Sequence, residues 1–224
     1  MELFNTFGYI NSYGLFEAYY VEHLGLSLSA ISWAGSTQTF LLLSIGIFSG
    51  RLFDAGYLRP LLIVGSAAQL LGVFMTSLAT QYWQLLLAQG ICGGIGAGLA
   101  YCPIIACVST YFSKKRTMAI TIATAGTSTG GVVFPVIAQQ LLPRVGFAWT
   151  VRCMGFVMLF NAVIIILIAR PRLPPRKSGS LIELSAFKEL PYTLFTAGTF
   201  LVLWTVYICY NYVSVVNNVC DKEI

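Results

Sequence analysis

The stretch PLLIVGSAAQLLGVFMTSLATQYWQLLLAQGICGGIGAGLAYCPIIACVSTYFS, residues 60–113, contains no Asp, Glu, Lys, Arg or His. A helix needs ~20 apolar residues to cross a hydrocarbon core of about 30 Å, so this stretch is long enough to cross twice. Water could not solvate so long an uncharged segment on the surface of a small globule. The sequence therefore predicts an all-α membrane protein.

The composition of the whole chain agrees with this prediction. Of 224 residues, 57% are hydrophobic and 9% are charged, against about 45–50% and ~25% in soluble domains. The formal charge is +5, but the basic residues stand in short clusters at the ends of apolar runs. That placement is typical of membrane topology, so we expect a lipid bilayer and no nucleic acid as partner.

Seven apolar runs have the length of a transmembrane helix. Charges, prolines or glycine clusters separate them. We divide the chain into a six-helix bundle at 1–169, a cytoplasmic linker at 170–192 and a seventh helix with a short tail at 193–224. The runs are Leu3 to Val21, Ser32 to Gly50, Pro60 to Ala79, Tyr82 to Val108, Met118 to Leu142, Ala148 to Ala169, and Thr193 to Val216.

The connections between these runs carry unequal numbers of basic residues. Ten Lys and Arg residues lie in the connections after the second, fourth and sixth helices, against about three on the opposite side. Cytoplasmic loops are enriched in Lys and Arg. The bias predicts a cytoplasmic N-terminus and a C-terminus outside.

The residues that carry catalytic or metal chemistry are scattered. Six cysteines are spread along the chain without a CxxC pair, and His23 is the only histidine. We find no Ser/His/Asp set, no phosphate-binding P-loop and no pair of carboxylates within a helix. The sequence predicts no enzyme, no metal site, no disulfide framework and no cofactor.

Small residues mark two helices as closely packed. Their spacing of about four residues places them on one helix face, where a neighbouring backbone can approach. Proline allows the second of these helices to bend. We predict packing roles for Gly90, Gly94 and Gly98 in helix four, and for Gly126, Gly130 and Pro135 in helix five.

Polar side chains within the apolar runs need partners, because lipid offers none. They either bond to another helix, at about 0.6 kcal/mol each, or line a wet cavity. Asn11 and Gln89 lie near mid-span and are the stronger cavity candidates. The residues that we predict to contact substrate are Asn11, Gln38, Gln89 and Tyr101.

Two connections resemble known signatures. The loop GRLFDAGYLR at 50–59 resembles the signature loop of the major facilitator superfamily, with Gly56 one residue early. YFSKKRTMA at 111–119, followed by ATAG at 123–126, is similar to the helix four to helix five signature of the monocarboxylate transporter family and its fungal permease branch. The resemblance covers about residues 5–177. It implies gating roles on the cytoplasmic side for Arg51, Asp54, Arg59, Lys114, Lys115 and Arg116.

The resemblance implies a secondary transporter that works by alternating access between two six-helix halves. The expected cargo is a small organic anion or a related metabolite, often coupled to protons, and the expected location is the plasma membrane. We expect this chain to be a truncated form, holding the N-terminal half plus one helix, for which self-association is one way to replace the second half.

Two other interpretations remain open at this stage. A non-transporting membrane interaction or regulatory protein would share the same composition and packing. A seven-helix receptor has an external N-terminus, which opposes the charge bias of this chain. The sequence does not name a substrate or a coupling ion.

Overall fold

The computed structural model describes residues 1–24, 28–112, 115–169, 189, 191–202 and 205, and every regular element among them is helical. The chain divides into two compact units, Met1–Ser178 and Gly179–Ile224. The elements of the first unit are α1 (Glu2–Asn11), α2 (Tyr13–Leu24), α3 (Leu28–Asp54), α4 (Leu58–Thr76), α5 (Tyr82–Leu85), a π-helix (Leu86–Gly93), α6 (Gly94–Tyr111) and α7 (Arg116–Ile168).

The first predicted helix is divided at Ser12 into α1 and α2. The Ser12 hydroxyl donates to the Gly8 carbonyl at 3.0 Å, and the Ser12 N–H also donates to that carbonyl, at 3.2 Å. A hydroxyl that competes for a helix carbonyl in this way loosens the backbone ladder locally. The chain nevertheless continues in one direction, because Phe16 N–H bonds back to the Ser12 carbonyl.

Helix α3 ends in a glycine C-cap. Tyr57 N–H donates to the Leu52 carbonyl at 3.0 Å, and Gly56 N–H donates to the Phe53 carbonyl at 2.8 Å. Gly56 has φ 94°, the left-handed conformation that this Schellman motif requires and that glycine adopts without a Cβ penalty. The position of Gly56 in the loop is therefore fixed by the end of α3.

The fourth predicted helix consists of three consecutive segments without a break between them: α5, the π-helix and α6. It begins at Tyr82, after the N-cap residue Gln81. The Gln84 side-chain oxygen accepts from the Gln81 N–H at 3.3 Å and closes a capping box. The π-helix of eight residues then leads directly into α6 at Gly94. Sequence periodicity did not indicate this segment, which holds Gln89 and Gly90.

Helix α7 contains the fifth and sixth predicted helices, joined without a loop. Gly146, with φ 79° and ψ 171°, interrupts the helical backbone. An added Cβ on Gly130 would overlap the Phe4 carbonyl oxygen, while the neighbouring Asn5 donates to the Met158 carbonyl at 3.2 Å. Adjacent residues of α1 thus contact both sides of the break, so the chain reverses at Gly146. We call residues 116–145 the first arm and residues 147–168 the second arm.

Two apolar clusters fill the first unit. The larger contains Phe16, Tyr20 and Phe147, and brings α2 against the start of the second arm. The smaller surrounds Leu58, with Phe53, Cys107 and Ala169 packed on it. It places the end of α3, the start of α4, the end of α6 and the end of the second arm at one end of the bundle.

Four of the described helices are long and apolar enough to cross a membrane. They are Ser29–Asp54, Leu58–Thr76, Tyr82–Tyr111 and Arg116–Ile168, and the last contains the reversal at Gly146. Of the predicted linker, only residues 189, 191 and 192 are described. Within the second unit residues 191–202 are helical, and most of the predicted tail lies outside the described residues.

Candidate functional site

One side of α1 combines an amide with aromatic rings. Phe7 and Asn11 are one helical turn apart, so they share a face. The Phe7 ring meets the Tyr101 ring of α6 edge to face, with centroids 5.5 Å apart. Asn11 lies against Gly131 of the first arm, where an added Cβ would stand 2.6 Å from the Asn11 Nδ2 atom. We call these four half-buried residues the amide–aromatic face.

Hydroxyl side chains extend from this face along the first arm. Thr117, Thr121, Thr124 and Ser128 are exposed, and their spacing of three or four residues leads to Gly131 on the same side of the helix. Thr121 and Thr124 donate to carbonyls of their own helix, at 3.0 and 2.9 Å. Their oxygens keep lone pairs that can accept from a ligand. The periodic hydroxyls were a signal in the sequence that our predictions did not use.

The other two predicted substrate contacts lie inside the bundle. Gln89 is 1% exposed and Gln38 is 2% exposed. The Tyr20 hydroxyl donates to Gln89 Oε1 at 3.5 Å. The structure therefore brings Asn11 and Tyr101 to one half-buried face and leaves Gln38 and Gln89 between helices, where their contact with substrate stays a prediction.

A separate polar network ties α1 to its neighbours. Asn161 of the second arm donates to the Asn5 side-chain oxygen at 2.8 Å. At the next residue of α1, Gln69 of α4 donates to the Thr6 hydroxyl at 3.2 Å, and Thr6 donates to Glu2 at 3.5 Å. All of these groups except Asn161 are fully buried. The network fixes the position of α1 between α4 and the second arm.

The predicted gating residues gather at one end of the bundle. Arg51 is half-buried at the end of α3, while Asp54 and Arg59 are exposed on either side of the Gly56 turn. Lys115 and Arg116 are exposed at the start of α7, and Lys114 lies outside the described residues. The cluster around Leu58 brings the ends of α3 and α6 together, so these basic residues share that end.

The predicted packing glycines face neighbouring backbones. Cβ atoms added to Gly90, Gly94 and Gly98 would lie 3.2, 2.9 and 2.8 Å from carbonyl oxygens of α3. Those carbonyls belong to residues 34, 38 and 42, which are one turn apart.

The two predicted glycines of the first arm differ from each other. Gly130 meets the Phe4 carbonyl, whereas a Cβ on Gly126 would stand 3.7 Å from Phe4 N, an ordinary contact distance. Pro135 lies inside the helical first arm, where it removes the backbone hydrogen bond to Gly131.

These features define a class. Long apolar helices, close glycine contacts and a polar face along one side belong to a multi-pass integral membrane protein. The sequence model of the Major Facilitator Superfamily, a protein-family model, matches residues 1–219 of this chain. The chain belongs to this superfamily of transporters.

Curated relatives support the same assignment. The chain is 48% identical to an "MFS-type transporter" of Gibberella zeae, over 94% of this chain and 48% of that protein. It is 42% identical to "MFS-type transporter eupM" of a Phoma species, over 88% of this chain and 71% of that one. It is also 41% identical to "Aspyridones efflux protein apdF" of Emericella nidulans, over 88% and 41%. The chain spans about half the length of several of the curated relatives it matches.

Solved structures share the fold. A peptide transporter POT in complex with alafosfalin matches with TM-score 0.68 and 16% identity, over 91% of this chain and 44% of that chain. Another POT family transporter, in complex with a thioalcohol-conjugated peptide, matches with TM-score 0.68 and 17% identity, over 94% and 45%. At this identity the likeness concerns the fold alone.

Proposed function

We propose that this chain forms the N-terminal bundle of a secondary transporter for small organic metabolites. The observation that carries the proposal is the amide–aromatic face, with the hydroxyls of the first arm beside it. A face of this kind offers hydrogen-bonding groups to a cargo inside a membrane, where apolar packing alone would not require them. In the proposed cycle, this bundle and a second one rock about a site near the midplane.

The chemistry of the face suggests the class of cargo. Phe7 and Tyr101 can stack on a planar group, and the Asn11 amide both donates and accepts. None of the four residues is charged. We therefore infer an aromatic or conjugated metabolite with a carbonyl or carboxyl group, consistent with the small organic anion implied by the monocarboxylate-like loops. The name of the Emericella nidulans relative, an aspyridones efflux protein, favours export as the direction of transport.

The basic end of the bundle supplies a model for the gate. Arg51, Asp54 and Arg59 surround the end of α3, and Lys115 and Arg116 stand at the start of α7. Charge contacts among helix ends can hold one of two arrangements and break in the other. We propose that these groups face the cytoplasm and that the N-terminus lies on the same side. We also propose that the protein resides in the plasma membrane and that its transport is coupled to protons.

A vesicle assay tests transport directly. The chain is reconstituted alone, and also together with the remaining half of the Gibberella zeae relative. This chain covers 48% of the length of that relative, so the remaining half is the part that it does not cover. Labelled lactate, benzoate and benzamide serve as aliphatic acid, aromatic acid and neutral aromatic probes, with and without a proton gradient. The intact relative provides a positive control, and its isolated half provides a negative one.

The expected result is movement of benzoate or benzamide by the paired halves and loss of accumulation when the proton gradient is collapsed. Movement by the chain alone would support self-association in place of a second half. If neither preparation moves any probe that the intact relative moves, the transport proposal is wrong. A non-transporting interaction protein would then be the better interpretation.

A further inference from the structure

An arginine stands apart from the basic end of the bundle, on the second arm. Arg152 follows Gly146 by six residues, or ~9 Å of helix, so it lies near the reversal rather than near Lys115 and Arg116. Its side chain is half-buried. A cation on a membrane-spanning helix needs a partner or a route to water, because lipid chains offer neither.

Two contacts hold the guanidinium in place. Its Nε atom donates to the Ser77 hydroxyl oxygen at 3.3 Å, and Ser77 donates its own proton to the Phe74 carbonyl at 2.6 Å. The Arg152 Cζ atom also lies 5.2 Å from the centroid of the Trp149 ring, within cation–π range. Ser77 engages only Nε, so the paired terminal N–H groups keep the fork geometry that matches phosphate oxygens.

An exposed apolar strip continues from this cation along the second arm. Phe156 is 54% exposed and Phe160 is 68% exposed, and both follow Arg152 on the same side at helical spacing. The Phe156 ring packs edge to face on Phe74, with centroids 5.6 Å apart. From Arg152 to Phe160 the helix rises ~12 Å, close to the ~15 Å depth of one leaflet.

We propose that Arg152, held by Ser77 and Trp149, binds the phosphate of a phospholipid whose acyl chain lies along Phe156 and Phe160. Charge complementarity selects the headgroup, and the strip below it fits an extended hydrocarbon chain. A bound lipid at this point braces α4 against the second arm. The site is independent of cargo, so its failure would leave the transport proposal untouched.

Lipid binding to the purified, delipidated full chain tests the proposal, with native mass spectrometry as the readout. Dioleoyl phosphatidylglycerol is the main probe. Dioleoylglycerol lacks the phosphate, and inorganic phosphate lacks the chains. We expect the phospholipid to bind at least about tenfold more tightly than either, since a charged hydrogen bond contributes that much. Arg152→Gln should remove this preference, whereas Arg144→Gln, at an exposed arginine of the same helix, should retain it.

Three results would overturn the assignment: equal phospholipid affinity in Arg152→Gln and the wild-type chain, equal binding of dioleoylglycerol, or equal binding of inorganic phosphate. Arg152→Lys keeps the positive charge, and it replaces Arg152→Gln in the binding assay if the glutamine variant does not fold. It loses the planar fork over Trp149, so we expect several-fold weaker binding. Wild-type affinity in the lysine variant would contradict a site built on the indole ring.

Discussion

Single glycines determine how closely helices approach in this bundle. Gly94 and Gly98 bring α6 onto the carbonyls of α3, and the sequence spacing predicted that they share a face. Their partners could not be predicted, because Gln38 and Leu42 are far away in sequence. The same limit applies to Gln38 and Gln89: a polar residue in an apolar helix signals a need for a partner, but not the side on which the partner lies.

Gly130 and Gly126 provide a matched test of close packing. An added Cβ at Gly130 would overlap the Phe4 carbonyl, while one at Gly126 would stand 3.7 Å from Phe4 N. We expect Gly130→Ala to lower the free energy of unfolding by about 1–3 kcal/mol and Gly126→Ala to leave it unchanged or raise it slightly. Thermal unfolding in detergent measures both. Equal melting temperatures for the two variants would contradict the contact between α1 and the first arm.

Gly56 tests the backbone at the end of α3. Because its φ is 94°, alanine there would pay the left-handed penalty of about 1–2 kcal/mol. Gly50→Ala is the control, since Gly50 lies within α3 and its added Cβ meets nothing within 4 Å. Melting temperatures should fall for Gly56→Ala alone. A stable Gly56→Ala protein would show that α3 does not end in the Schellman motif.

At the scale of elements, the apolar runs predicted α3 and α4 but not the irregularities of the other helices. Charges and prolines delimited the apolar runs, so α3 and α4 were predicted within a few residues. The π-helix was missed, because an apolar helix has the same composition with either hydrogen-bond pattern. The connection between the fifth and sixth apolar runs, residues 143–147, was expected to be a loop, whereas in the structure the helical backbone is interrupted at Gly146. Backbone conformation at one glycine has no periodic signature.

The link between α1 and the second arm can be measured with a double-mutant cycle. Asn161 donates to Asn5 at 2.8 Å, and Asn5 donates to the Met158 carbonyl. We expect a coupling free energy of about 0.6 kcal/mol between Asn5→Ala and Asn161→Ala, the usual size for interhelical hydrogen bonds in membranes. Unfolding of the single and double variants by denaturant in mixed micelles gives this value. Strict additivity would mean that the two asparagines do not interact.

At the scale of the whole molecule, the bundle has two unlike ends and one polar side. The cluster around Leu58 marks the end that carries Arg51, Asp54 and Arg59, and Gly146 marks the opposite end. Loop signatures predicted the superfamily, since they concentrate specific residues in a short span. Of the amide–aromatic face, only Asn11 and Tyr101 were among the predicted substrate contacts. Phe7 and Gly131 were not, because an apolar or small residue in an apolar helix does not by itself indicate a binding site.

The central claim is that this face contacts the transported molecule. The most direct test is the concentration dependence of transport by Asn11→Ala, in the paired-half vesicles, with Gln140→Ala at an exposed site of the first arm as control. Loss of the amide should raise KM about tenfold, while KM of the control variant stays unchanged. An Asn11→Ala protein with wild-type KM and kcat would contradict the account.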